Sequence, residues 1–347
     1  CGPQFPSQAS LKALAARPTS PEPPGERKTL AVDDWQPGES GAPTTDAEQL
    51  VKSVADAKGH PLPIEAELDC TAREIGRFFA AHAAFPDQQL QAYMAGVCGS
   101  TQPNFGVMVW ATPSDTVASA ERQKQWHDAI AKQLGEWLPP TSTQLGGAEL
   151  SDGKTSVFAA AAGFSRITWE QRSPVVNADG QVQFSGSLST PAGFIFGARP
   201  VGASRVPNCQ SAPRVAPPRF HITCQLDPND SSAWVGIQAL APGRVLAHSV
   251  ARVLVRREGT ALGFTSTSKN GAPESVTSPD EFSKRLLALV NETRKTAQLP
   301  PLQLAKRESD TSAQLAPKYF TGQGDANLSD QIALGLLAGG SIDGTIR

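Results

Sequence analysis

Five histidines and five cysteines are the side chains of this sequence best suited to hold a metal, move a proton or attack a carbonyl. His221 and His248 lie in segments whose apolar residues alternate, so two strands could bring them together, with Asp227 or Asp230 in the following turn as a third ligand. A zinc site takes three or four ligands at defined spacing. No third ligand stands at such a spacing here, so the two histidines are weak metal candidates, and neither a metal nor any other cofactor is expected. His60 falls in a loop, His82 on the packed face of a helix, and His127 beside Asp128 on a solvated face. There is no G-x-S-x-G elbow, no H-E-x-x-H pair and no phosphate loop, and Gly322-Gln323-Gly324 lacks the strand and third glycine of a dinucleotide fingerprint. No catalytic residue is assigned.

Cys70, Cys98, Cys209 and Cys224 are too widely spaced for a C-x-x-C motif, and four such thiols suit two disulfides in an oxidising compartment. Thr71 to Glu74 reads as a capping box opening a helix with Ile75, Phe78, Phe79 and His82 at helical spacing. A second helix after Asp87 repeats the pattern with Leu90, Tyr93, Met94 and Val97, and Phe85-Pro86 marks the turn between them. In an antiparallel helical hairpin the start of one helix lies beside the end of the other, so Cys70 should meet Cys98. Cys209 and Cys224 then pair by default. Closing a loop of about fifteen residues is worth about 3 kcal/mol if the effect is entropic.

Hydrophobic periodicity divides the chain into four parts. Residues 1–45 are rich in proline and poor in periodic apolar residues, so they cannot offset the entropy of ordering and read as a tether, with Trp35 as its isolated aromatic. Residues 46–152 read as a mainly helical domain, with a short strand at Phe105–Ala111 and a third helix carrying Trp126, Ile130, Gln133 or Leu134, and Trp137 on one face. Pro139-Pro140 ends that helix. From about Gly153 the period falls to two. Val182, Phe184, Gly186 and Leu188 alternate, as do Phe220, Ile222, Cys224 and Leu226, so residues 153–278 read as an antiparallel β-sandwich of immunoglobulin-like type. Ser278-Pro279-Asp280-Glu281 joins a capping box to a proline at the first helical position and opens a helix in the last part, residues 279–347. The expected fold class is α+β and multidomain.

Cys1-Gly2, followed by the proline-rich polar run, resembles the mature start of a bacterial lipoprotein whose signal peptide has been removed. That resemblance implies diacylglycerol on the Cys1 thiol and acyl chains of the palmitate type, which hold a soluble body at a bilayer at about 0.8 kcal/mol per buried methylene. It places the protein in the cell envelope. Gly2, where an aspartate would mark retention in the inner membrane, points to the outer membrane, on its periplasmic or surface face.

A second resemblance begins at Leu286. Asn291, Arg294, Leu299, Pro300, Pro301 and Leu302 match the opening helix and proline turn of the CAP superfamily, the cysteine-rich secretory, antigen 5 and pathogenesis-related 1 proteins. It covers about residues 280–347 and implies the first helices of an α-β-α sandwich. Many CAP domains have a metal cleft of two histidines and two glutamates. Its first histidine belongs on the second helix, where this chain reads Ser312-Ala313-Gln314, and no histidine follows His248. The resemblance therefore does not extend to the metal cleft.

A net charge of −2 and a pI near 6.3 give no basic stripe for nucleic acid. Apolar runs such as Val157 to Phe164 fall far short of the ~20 residues of a membrane span, so membrane contact would come through the lipid. The reading that follows is a non-enzymatic envelope lipoprotein presenting a binding or scaffolding surface to an envelope protein or the cell wall. The alternative is a cell-wall or peptide hydrolase whose site lies between domains or in sequence beyond Arg347.

Overall fold

The computed structural model describes residues 29–30, 42–198, 208–242, 247–260, 263–265, 278–296 and 300–321. Cys1, Trp35, most of the tether and Gly322-Gln323-Gly324 lie outside the described residues. The chain divides into two units, one of Arg27–Pro242 with His248–Thr267, the other of Cys1–Glu26, Gly243–Ala247 and Ser268–Arg347.

The larger unit opens with β1 (Thr29–Leu30), which pairs with β13 (Phe264–Thr265). Next come helices α1 (Asp46–Ala57), α2 (Ala66–His82) and α3 (Gln88–Val97), strand β2 (Phe105–Pro113), helix α4 (Ala120–Trp137), and strands β3 (Gln144–Ser151) and β4 (Thr155–Gly163). Thr45 caps α1 in a capping box with Glu48, and the Asp87 carboxylate accepts the Leu90 N–H to start α3. The capping box expected at Thr71 is not formed. Thr71 lies inside α2, its hydroxyl donating to the Glu67 carbonyl at 2.7 Å, and the helix begins at Ala66 after Glu65, whose carboxylate accepts from the Gln144 side chain at 2.9 Å instead of capping the helix.

The three strands form an antiparallel sheet in the order β2-β4-β3. Its middle strand contributes Phe158, Ala160 and Ala162 to a core shared with α1 and α4, and Ala159 and Ala161 to a core shared with α2. Helices therefore cover both faces, and a strand buried on both sides shows no alternation. The domain boundary expected at 152 falls in the β3–β4 hairpin, where the Asp152 carboxylate accepts the N–H groups of Lys154 and Thr155.

Small residues let the helices close in. A methyl group on Gly146 would overlap the Leu68 carbonyl of α2, and one on Gly147 would meet Val51 and the Ala47 carbonyl of α1. The Gly-Gly pair thus seats one helix on each face of β3.

The rest of this unit is β-rich: β5 (Ile167–Arg172), β6 (Val175–Val176), β7 (Gln181–Leu188), β8 (Phe194–Ala198), β9 (Asn208–Ser211), β10 (Arg219–Gln225), β11 (Ser232–Leu240) and β12 (His248–Arg257). They form two four-stranded sheets, β5-β7-β10-β9 and β6-β12-β11-β8, around one apolar core that includes Phe184, Ile222, Val235 and Val253. All pairs are antiparallel except β6 with β12, which is parallel. Arg172 of β5 bonds Glu67 of α2 at 2.7 Å, and Trp234 of β11 lies against Gly96 of α3 with Arg252 stacked on its ring at 4.6 Å.

The smaller unit contributes two described helices, α5 (Pro279–Thr296) and α6 (Lys306–Thr321). The Ser278 hydroxyl accepts the Glu281 N–H at 3.2 Å, the cap its sequence predicts.

Candidate functional site

Both disulfides join the expected partners. Cys70, on the second turn of α2, meets Cys98 at the end of α3 with Cα atoms 5.5 Å apart. Cys209 of β9 lies directly opposite Cys224 of β10, with Cα atoms 4.0 Å apart. The Cys224 side chain is in the core, and the bridge pins the edge strand to its neighbour.

The histidine pair is not assembled. His221 is on β10 and lines an apolar groove with Phe194 and Val215, whereas His248 is on β12 of the other sheet, beside Phe164 and Arg166. Asp227 and Asp230 sit in the β10–β11 turn, where their carbonyls hold the Arg257 guanidinium at 3.1 and 3.0 Å. Among the described residues no group of three or more His, Cys, Asp and Glu is placed to hold a metal ion. Two other histidines differ from expectation. His82, the last residue of α2, is exposed, its ring tilted against Phe78 with centroids 4.4 Å apart. His127 is half-buried and hydrogen-bonded to Glu149 of β3 at 2.9 Å, while its neighbour Asp128 faces solvent.

A carboxyl pair missed in the sequence lies where the first turns of α1 and α2 meet β3, in a cavity of about 440 Å³. Glu48 is buried and accepts hydrogen bonds from the backbone N–H groups of Thr44 and Thr45 and from the Thr44 hydroxyl. Asp69 accepts the Gly147 N–H at 2.7 Å and lines the same cavity as Glu48. Burial pushes the Asp69 carboxyl up from 3.8 to about 8, the Gly147 N–H opposing and the Glu48 charge adding to the rise. Burial also raises Glu48, but the bonds from Thr44 and Thr45 outweigh it and hold that carboxyl below its ordinary value. Each carboxyl has a positional task, Glu48 closing the α1 capping box and Asp69 tying α2 to β3. The T-x-x-E spacing signalled the first; nothing in the local pattern signalled the second.

In the smaller unit, Asn291 and Arg294 of α5 bond to the backbone of Leu302 and Pro300. The Asn291 carboxamide donates to the Leu302 carbonyl at 2.9 Å and accepts the Leu302 N–H at 2.7 Å. Arg294 Nε donates to the Pro300 carbonyl at 2.7 Å. Phe282, Leu286, Leu289 and Val290 form one stripe along α5, spaced four, three and one apart, and remain 56, 50, 63 and 37 % exposed. Leu302 and Leu304, beyond the turn, are exposed as well.

Compared with known proteins, the sequence matches no family model and no curated protein.

Proposed function

We propose that the chain is a non-enzymatic cell-envelope lipoprotein, anchored through an acylated Cys1, that presents a binding or scaffolding surface to an envelope protein or the cell wall. The observation that carries this reading is the exposed apolar stripe of α5, Phe282, Leu286, Leu289 and Val290. Large apolar side chains grouped on one helix face cost solvation free energy unless something covers them, and such patches mark interaction sites. The two disulfides support the address, since such bonds persist in oxidising compartments.

The finer fold assignments belong to the same reading. The two sheets around one core favour an immunoglobulin-like sandwich, with the parallel β6–β12 pair as a departure from that pattern. The bonds from Asn291 and Arg294 to the following turn favour a CAP-type opening for α5 and α6. A hydrolase is the second reading, favoured by the Glu48–Asp69 pair in its cavity. Both carboxyls hold backbone N–H groups, which ranks it below the binding role.

The test uses the soluble Cys1→Ser chain and envelope fragments from its host. The chain should co-sediment with the fragments, and Leu286→Glu combined with Leu289→Glu should release it. Equal co-sedimentation of the two proteins would overturn the assignment of the surface to α5.

A further inference from the structure

Buried polar side chains of folded proteins are hydrogen-bonded, so an atom that is not has a reason that can be sought. Among the described residues three buried side-chain atoms have no partner, and two of them, Glu67 Oε2 and Gln102 Oε1, belong to residues that line one cavity of about 210 Å³. Both are acceptors. The network around Gln102 fixes which end of its amide is left over. Gln144 donates to the Glu65 carboxylate at 2.9 Å, so the Gln144 oxygen accepts from Gln102 Nε2, and Gln102 Oε1 remains. Gln102 is 7 % exposed, and its amide lies over Gly163, where a methyl group would overlap it.

The cavity lies where α2 and the start of β3 meet β5. Glu67, in the first turn of α2, accepts Arg172 of β5 through Oε1 at 2.7 Å and has no donor for its other oxygen. Trp169 and Arg172 are three residues apart and would face opposite sides of a regular strand. The register shift between Trp169 and Gln171 adds a residue and brings both to the cavity. Trp169 is held edge-on to Phe220 with ring centroids 5.9 Å apart. The ionisable residues of the lining are Glu65, Glu67 and Arg172, two acids against one base.

We propose that this cavity binds a small primary amine as its ammonium ion, two of whose N–H groups donate to Glu67 Oε2 and Gln102 Oε1. An ammonium group carries three donors and no acceptor, which suits two unpartnered atoms that can only accept. Its charge offsets the excess acid of the lining, and Trp169 supplies an aromatic wall of the kind that attracts cations. At about 210 Å³ the cavity is smaller than the ~300 Å³ at which pockets for drug-sized ligands begin, so the ammonium sits on a short stem. The site belongs wholly to the larger unit and is independent of the α5 stripe.

Ethylammonium chloride titrated into the full chain, labelled with nitrogen-15 at tryptophan, tests the site. At constant ionic strength one of the six indole signals, the one lost in Trp169→Phe, should move saturably. Tetramethylammonium, which has the charge but no N–H donor, should leave it in place, as should sodium. Glu67→Gln and Gln102→Leu each remove one of the two acceptors and should each weaken ethylammonium binding about tenfold or more. The contrast between ethylammonium and tetramethylammonium in the wild-type chain decides the matter should either variant fail to fold. No saturable movement of the Trp169 signal, as for a cavity that takes water only, overturns the proposal. So does an equal response to tetramethylammonium or sodium, or unchanged affinity in folded Glu67→Gln.

Discussion

The side-chain amide of Asn291 closes on the backbone of Leu302 through two hydrogen bonds, at 2.9 and 2.7 Å, donating through one and accepting through the other. Both backbone polar groups of Leu302 are thereby satisfied by one side chain eleven residues earlier, while the Leu302 side chain stays exposed. Asn291→Ala removes both bonds at once. At about 1 kcal/mol for each, the variant should lose about 2 kcal/mol of local stability, read as faster exchange of the Leu302 amide, with Asn291→Asp recovering only the accepting bond.

Gly146 faces backbone, not a movable side chain, so a methyl group there has no neighbour that can rotate away. Gly146→Ala should cost about 3 kcal/mol or more by forcing α2 off β3, measured by urea unfolding. Gly153→Ala is the contrast: its β-carbon would meet open space, and its cost would come from the positive φ of 85° alone.

How much of this was legible in the sequence depended on whether a contact was local. The helical hairpin and its two turns of spacing placed Cys70 against Cys98, and alternation along 181–188 and 219–225 marked two strands that pair in the structure. The Ser278 cap was legible for the same reason. The start of α2 was not, because Ala66 follows no capping side chain and the attractive Thr71 signal turns inward to a carbonyl. Nor was β4, whose alanine run from 159 to 162 is buried on both faces and so has no period to read. Asp69 and Glu48 come from different helices and share a cavity only because Gly146 and Gly147 let both helices close on β3, as His127 of α4 reaches Glu149 of β3 only through the packing of helix on strand.

Non-reducing peptide mapping should recover Cys70–Cys98 and Cys209–Cys224 with no crossed pairing. Replacing Cys70 and Cys98 together by alanine should lower stability by about 2–4 kcal/mol, because the bridge closes a separation of 28 residues against 15 for the other. An equal effect of reducing agent on wild type and this variant would show that the first bridge contributes nothing.

His221→Ala with His248→Ala should leave thermal stability within about 0.5 kcal/mol of wild type, as expected for surface positions that share no partner, because the two side chains lie on different sheets. Elemental analysis of the purified chain should find no stoichiometric zinc. Metal that is bound one to one and lost in the double variant would contradict the separation of these residues.

Anchoring is tested by labelling the protein in its host with an alkyne fatty acid. Label should enter the wild-type protein and be absent from Cys1→Ala, which should move from the membrane to the soluble fraction. Persisting label in that variant would place the lipid elsewhere.

The most direct measurement of the binding role is site-specific photo-crosslinking in the host cell, with the reactive side chain at Leu289, on the exposed apolar stripe of α5, or at Lys284, on the opposite face of the same helix. A discrete adduct from Leu289 and none from Lys284 is the predicted result. Identical patterns from the two positions, or no adduct from Leu289 in correctly anchored protein, would contradict it.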